Sequence, residues 1–123
     1  MIDQYFINFG NIVNGLDFVV KLEIQTRKIN DFLGIIEGVL TFENGLLDIL
    51  EVIKFTENQI IKTKYKYHFQ TNDGEMIFRY DNAPHHQNVE TFPHHKHIRT
   101  EIIESNAPEI EQILSEIKTF LHI

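Results

Sequence analysis

Residues 60–70 read Ile60-Ile61-Lys62-Thr63-Lys64-Tyr65-Lys66-Tyr67-His68-Phe69-Gln70, and Asn72-Asp73-Gly74 follows close behind. Side chains along a β-strand point alternately to opposite faces. A strand here sets Tyr65, Tyr67 and Phe69 against a core and Lys62, Lys64, Lys66 and His68 on the other side. Asn72-Asp73-Gly74 then turns the chain, because these residues tolerate turn backbone, and Glu75 to Tyr80 supplies the next strand. Working back toward the N-terminus, the same rhythm repeats. Glu57-Asn58 is a turn, Leu46 to Phe55 a strand, and Glu43-Asn44-Gly45 closes a hairpin onto Ile36, Leu40 and Phe42. Asn-Gly between apolar runs marks a type I′ turn, whose φ angles are positive. Phe18, Val20, Leu22 and Ile24 alternate with Val19, Lys21, Glu23 and Gln25 as the first strand, and Asn30-Asp31 forms its turn.

Helices are expected at both ends of this meander. Ile2, Phe6, Phe9 and Val13 fall at helical spacing, with Gly15 as a stop. Near the C-terminus, Asn106 with Glu109 resembles a capping box and Pro108 suits a first turn. Ile110, Ile113, Leu114, Ile117, Phe120 and Leu121 then make one apolar stripe. Residues 81–98, with Pro84 and Pro93, read as a loop, with a short edge strand in it as the alternative. The expected fold is α+β, a single domain over 1–123: an N-terminal helix, an antiparallel β-meander of about five strands, and a C-terminal helix packed on the sheet.

Composition narrows the function classes. With 123 residues, 42% hydrophobic and 24% charged, the chain is neither fibrous nor a disordered tail. It has no cysteine, which excludes disulfides and thiolate metal sites and suits a reducing compartment. No apolar run approaches the roughly 20 residues that span a bilayer. Met1-Ile2-Asp3-Gln4 has no basic n-region and no long apolar run after it, so no signal peptide is expected, and a cytoplasmic protein without a membrane partner is expected with it. The net charge of −7 argues against a nucleic-acid binder until it is located. It divides as −5 over 1–53, +2 over 54–100 and −4 over 101–123, and the middle block holds six of the seven histidines.

That middle block carries the candidate chemistry. Lys62, Lys64, Lys66 and His68 repeat about 6–7 Å apart along a strand, close to the spacing of successive phosphates. The plainer alternative is an edge strand kept soluble by its lysines. Arg79 shares that face and is suited to a bidentate grip on phosphate; Asp81 either pairs with it or meets the substrate. Glu51 interrupts the apolar row of Leu47, Ile49, Ile53 and Phe55, and a carboxylate there needs a partner or a proton. His85, His86, His94, His95 and His97 lie within 13 residues, with Lys96 among them. One chemistry for such a set is metal-independent: one imidazole takes a proton from a ribose 2′-hydroxyl and another protonates the leaving 5′-oxygen. Arg79, Lys96 or the lysine row would stabilise the charge on phosphorus. Another is a divalent metal such as zinc, held by imidazoles of the loop. A third is a structural histidine cap over the sheet.

Three segments carry a resemblance. Lys64-Tyr65-Lys66-Tyr67-His68-Phe69-Gln70, Phe78-Arg79-Tyr80-Asp81-Asn82-Ala83-Pro84-His85-His86 and Thr91-Phe92-Pro93-His94-His95-Lys96-His97 resemble the TumE family of prokaryotic type II toxins. The resemblance implies a toxin with a cognate antitoxin, often a helix-turn-helix protein encoded beside it, and a target in translation or RNA. The basic stripe beside the histidine loop gives the expected reading of an endoribonuclease whose catalytic set is His85, His86, His94, His95, His97 and Arg79. Lys62, Lys64, Lys66, His68 and Lys96 would bind substrate, with Glu51 and Asp81 as secondary candidates. The alternative is a non-catalytic metal-binding or interaction module, and a homo-oligomer is compatible with either.

Overall fold

The structure, a computed structural model, describes residues 1–83, 91–98 and 101–123. Helix α1 (Ile2–Asn14) is followed by strands β1 (Lys21–Asn30), β2 (Leu33–Phe42), β3 (Gly45–Thr56), β4 (Gln59–Thr71), β5 (Met76–Asp81), β6 (His95–Ile98) and β7 (Glu101–Glu104). Helix α2 (Ile110–Leu121) closes the chain. The strands form one antiparallel sheet in sequence order, β1 through β7. The meander therefore has seven strands rather than about five. Both extra strands are four residues long and lie within or beside the histidine segment read as a loop.

Both helices cover the same face. Phe9 and Val13 of α1 and Ile113, Leu114 and Ile117 of α2 share a core with Ile36, Leu40, Phe42, Leu47, Tyr67 and Phe69 of the sheet. Alternation delivers this core. In β3 the odd-numbered positions 45–53 are all buried while Asp48 and Lys54 are exposed. The other face carries Glu23, Gln25, Glu37, Asp48 and Lys64, all exposed, and no described helix covers it. We call it the open face.

Three local expectations change. The hairpin at Glu43-Asn44-Gly45 forms, with Phe42 paired to Gly45, but positive φ occurs at Glu57 (51°) and Asn58 (62°) instead. Gly45 is required for closeness: a Cβ there would lie 2.7 Å from the Gln70 carbonyl oxygen and 2.8 Å from the Phe69 ring. Second, α2 begins at Ile110, with Glu109 at its N-cap and no side-chain cap. No capping box forms, and Pro108 precedes the helix with its carbonyl accepting from Lys62 Nζ at 2.6 Å.

The third change matters most. The β3–β4 register runs Leu50↔Lys66, Glu51↔Tyr65 and Val52↔Lys64, then Ile53↔Lys62. Thr63 is therefore an extra residue, a β-bulge that inverts the facing of everything before it in β4. Residues directly opposite in a sheet share a face, so Lys62 joins Ile53 beneath the helices while Lys64 and Lys66 stay on the open face. Asn82 clamps the bulge: its Oδ1 accepts from Tyr65 N at 3.0 Å and its Nδ2 donates to Thr63 O at 3.0 Å.

Candidate functional site: a histidine, arginine and aspartate grid on the open face

The register of β4, β5 and β6 sets two rows of side chains across the open face. One row is His68, Arg79 and His97; the next is Lys66, Asp81 and His95. Neighbouring members of a row sit on strands about 4.8 Å apart. Asp81 organises the grid. Its Oδ2 accepts from Arg79 Nε at 2.9 Å and lies 3.5 Å from His97 Nε2. Its Oδ1 accepts from Ala83 N at 3.1 Å and lies 2.7 Å from His95 Nε2. The His95 ring is 1% exposed, and its Nδ1 donates to the Pro93 carbonyl at 2.9 Å. Because a carbonyl only accepts, that contact places a proton on Nδ1 and turns Nε2 toward Asp81.

Exposure separates the roles these groups can play. Asp81 is 4% exposed and His95 1%, so neither offers much surface to a large molecule. The side chains of Arg79 and His97 are 38% and 22% exposed. Burial, and then the Arg79 guanidinium, push the His68 imidazole below its ordinary value, which favours a neutral ring at pH 7. Its Nδ1 is buried and has no hydrogen-bond partner among the described residues. Asp48 lies directly across from His68 and brings negative charge to the margin. Beyond it, Glu23, Glu37, Val39 and Leu50 line a groove of about 670 Å3 that reaches Lys66.

Other expected site residues lie elsewhere. Lys62 leaves the lysine row and enters a buried cluster around Glu51, which is 0% exposed. Tyr5 donates its hydroxyl to Glu51 Oε1 at 2.5 Å, Tyr67 donates to Oε2, and Lys62 Nζ lies 3.9 Å from Oε2. Lys62 also donates to the Tyr67 hydroxyl at 2.5 Å. Burial lowers the Lys62 ammonium pKa and the Glu51 carboxylate opposes this; burial, then Glu51, raise both tyrosines. Glu51 thus has the partners an interrupted apolar row demands, on the face away from the grid.

Lys96 also lies on the helix side, donating to Glu116 Oε2 at 2.8 Å, with its ammonium 4.7 Å from the centre of the Tyr80 ring. Burial opposes its charge, but Glu116 and Tyr80 outweigh that and raise its pKa. It pairs opposite Tyr80, not Arg79, so strand alternation removes it from the Arg79 group. His94 lies against Tyr65, the rings stacked at 5.7 Å and Nδ1 3.0 Å from the tyrosine hydroxyl. His85 and His86 lie outside the described residues. The structure thus gathers Arg79, Asp81, His95, His97, His68 and Lys66 and separates Lys62, Lys96, Glu51 and His94 from them.

Sequence reasoning missed Asn82, Tyr5 and Tyr67 as supporting residues. The signals were faint: an Asn directly after the strand ending in Asp81, and hydroxylated aromatics on the core-facing stripes near an isolated Glu.

The molecule is a small meander with two helices on one side and a polar grid on the other. A family model described as Toxin TumE matches residues 11–122. The chain belongs to the TumE toxin family, and membership implies a cognate antitoxin as its partner. Comparison with curated proteins and with solved structures gives no match. No helix of the described residues is long and apolar enough to cross a membrane.

Proposed function

We propose that this toxin binds RNA on the open face and cleaves its backbone without a metal. One observation carries the reading: His68 and His97 flank Arg79 in a single cross-strand row. A phosphodiester seated on Arg79 would have an imidazole on each side. His68, held neutral by burial and by Arg79, accepts the proton of the ribose 2′-hydroxyl as O2′ bonds to phosphorus. His97, beside the Asp81 carboxylate, gives a proton to the departing 5′-oxygen as the P–O5′ bond breaks. Arg79 and Lys66 stabilise the charge on the non-bridging oxygens. Lys64 extends the contact along the backbone. The products are a 2′,3′-cyclic phosphate and a 5′-hydroxyl. His95 positions Asp81 and does not meet substrate.

The test is incubation of purified toxin with transcribed RNA in EDTA, with the new ends sequenced. Wild type should cleave, and His97→Gln and His68→Gln should each slow cleavage by about 100-fold or more, the usual range for one acid–base group. RNA left equally intact by wild type and by both variants would refute the reading. Lys62→Ala and Lys96→Ala, once corrected for folded fraction, should retain activity.

A further inference from the structure

We propose that Asp81, His95 and His97 form a three-ligand site for one divalent transition-metal ion of the zinc type. The inference stands on the ligand geometry and does not require RNA to be the substrate.

The three side chains each offer one ligand atom, and these atoms lie within 4.8 Å of one another. An ion about 2.0–2.2 Å from each ligand needs ligand atoms about 3–3.5 Å apart. His95 Nε2 lies 2.7 Å from Asp81 Oδ1 and His97 Nε2 lies 3.5 Å from Asp81 Oδ2, near that separation, and all three ligand atoms fall within 4.8 Å. Admitting an ion means drawing the ligand atoms together by about 1 Å.

The supporting shell has the form that metal sites use. A ligating histidine ordinarily donates its second ring N–H to a carbonyl or carboxylate, which fixes the tautomer and aims the free nitrogen. His95 does this through Nδ1 to Pro93 O at 2.9 Å, leaving Nε2 to face Asp81. The carboxylate is itself oriented by Ala83 N and Arg79 Nε. Burial of Asp81 and His95 supplies a rigid floor. The partly exposed His97 leaves an approach for the ion and room for water to complete its coordination. Two imidazoles and one carboxylate suit zinc, nickel or iron more than magnesium or calcium, which take oxygen ligands.

Arg79 sets the strength. Its guanidinium is bound to the same carboxylate and repels a cation, so the site should be weaker than a dedicated structural zinc site. Removing that charge should tighten it. An ion in place occupies the Nε2 of His97, and so it should silence the proton transfer assigned to that ring above.

Untagged protein is dialysed against Zn2+ alone and its metal content measured. Co2+ is used in parallel for its visible absorption. One ion per chain is expected, with Co2+ bands of a four- or five-coordinate site. His97→Ala should cut occupancy at least tenfold, and Arg79→Met should lower the dissociation constant several-fold. His95→Ala serves as a second ligand variant where its thermal melt shows that it folds. Less than a tenth of an ion per chain in wild type, or full occupancy in His97→Ala, would overturn the site. RNA cleaved in EDTA by a chain that takes no zinc would sink this inference alone. RNA left intact in EDTA by a chain that does take zinc would sink the preceding reading alone.

Discussion

Lys62→Met separates a surface lysine from a buried one. The register places Lys62 beneath the helices, its side chain 10% exposed and its ammonium 3.9 Å from a carboxylate that is 1% exposed. At that distance and an effective dielectric of about 20, the attraction is about 4 kcal/mol. Removing one partner of a buried pair costs about 3–5 kcal/mol, because the other charge is left without compensation. Methionine fills a similar volume, so the loss reports the charge and the hydrogen bonds to Tyr67 and Pro108. At about 4 °C per kcal/mol for a chain of this size, the melting temperature should fall by about 12–20 °C. Urea denaturation at pH 7 measures it directly. Adding Glu51→Gln to Lys62→Met removes the orphaned charge while keeping a hydrogen-bonding group for the tyrosines, and should restore about 1 kcal/mol or more. A loss within about 0.5 kcal/mol, as expected of a solvated lysine, would refute both the burial and the Thr63 bulge. A double variant no more stable than Lys62→Met would refute the charge argument alone.

Two further outcomes follow from packing and protonation. A Cβ on Gly38 would lie 2.1 Å from the Glu23 carbonyl oxygen and 2.8 Å from the Ile24 Cα, both backbone. Gly38→Ala should therefore prise β1 from β2, seen as faster amide exchange in Leu22 to Thr26, and unchanged exchange there would contradict the register. His68 is held below the ordinary imidazole value of 6.5 by burial and Arg79. The unfolded chain then binds a proton that the folded chain refuses, so this group removes stability as pH falls through that value. His68→Gln should make the fall in urea midpoint between about pH 7.5 and 5.5 shallower; equal slopes would show that His68 titrates alike in both states.

Much of the fold could be read from alternation. Phe42-Glu43-Asn44-Gly45, Glu57-Asn58 and Asn72-Asp73-Gly74 each close a hairpin, and the stripe from Ile110 to Ile117 docks as an amphipathic helix should. The sequence allows a short edge strand within 81–98 but neither places it nor shows β7, because histidines hide a strand: His95-Lys96-His97-Ile98 has no apolar alternation. The bulge escaped for a different reason. Lys62-Thr63-Lys64 keeps a polar period of two whether or not a residue is extra, so side-chain pattern carries no record of the inserted backbone. Arg79 with Asp81 was legible as a pair, and Glu51 as a residue in need of partners. Lys64 and Lys66 take the face that alternation gives them, but the turn of Lys62 to the other face was not legible, since it depends on Asn82, a side chain 19 residues from Thr63 that donates to its carbonyl.

The extra residue at Thr63 also makes β4 a strand with two readers. Among its lysines, Lys62 before the bulge answers to the helices and Lys64 and Lys66 after it to whatever meets the open face, although one unbroken stretch of chain supplies both. Relaxing the bulge with Thr63 kept, as loss of the Asn82 clamp would do, leaves the sequence of β4 unchanged and puts Lys62 on the face of Lys64. The lysine would move into the basic row, and Glu51 would be left without its cation. A gain of charge on one surface would thus be inseparable from a loss of stability on the other. In a saturation scan of β4 the tolerant parity should accordingly switch at Thr63, with Ile61 tolerant before it, Lys64 and Lys66 tolerant after it, and Lys62, Tyr65, Tyr67 and Phe69 constrained.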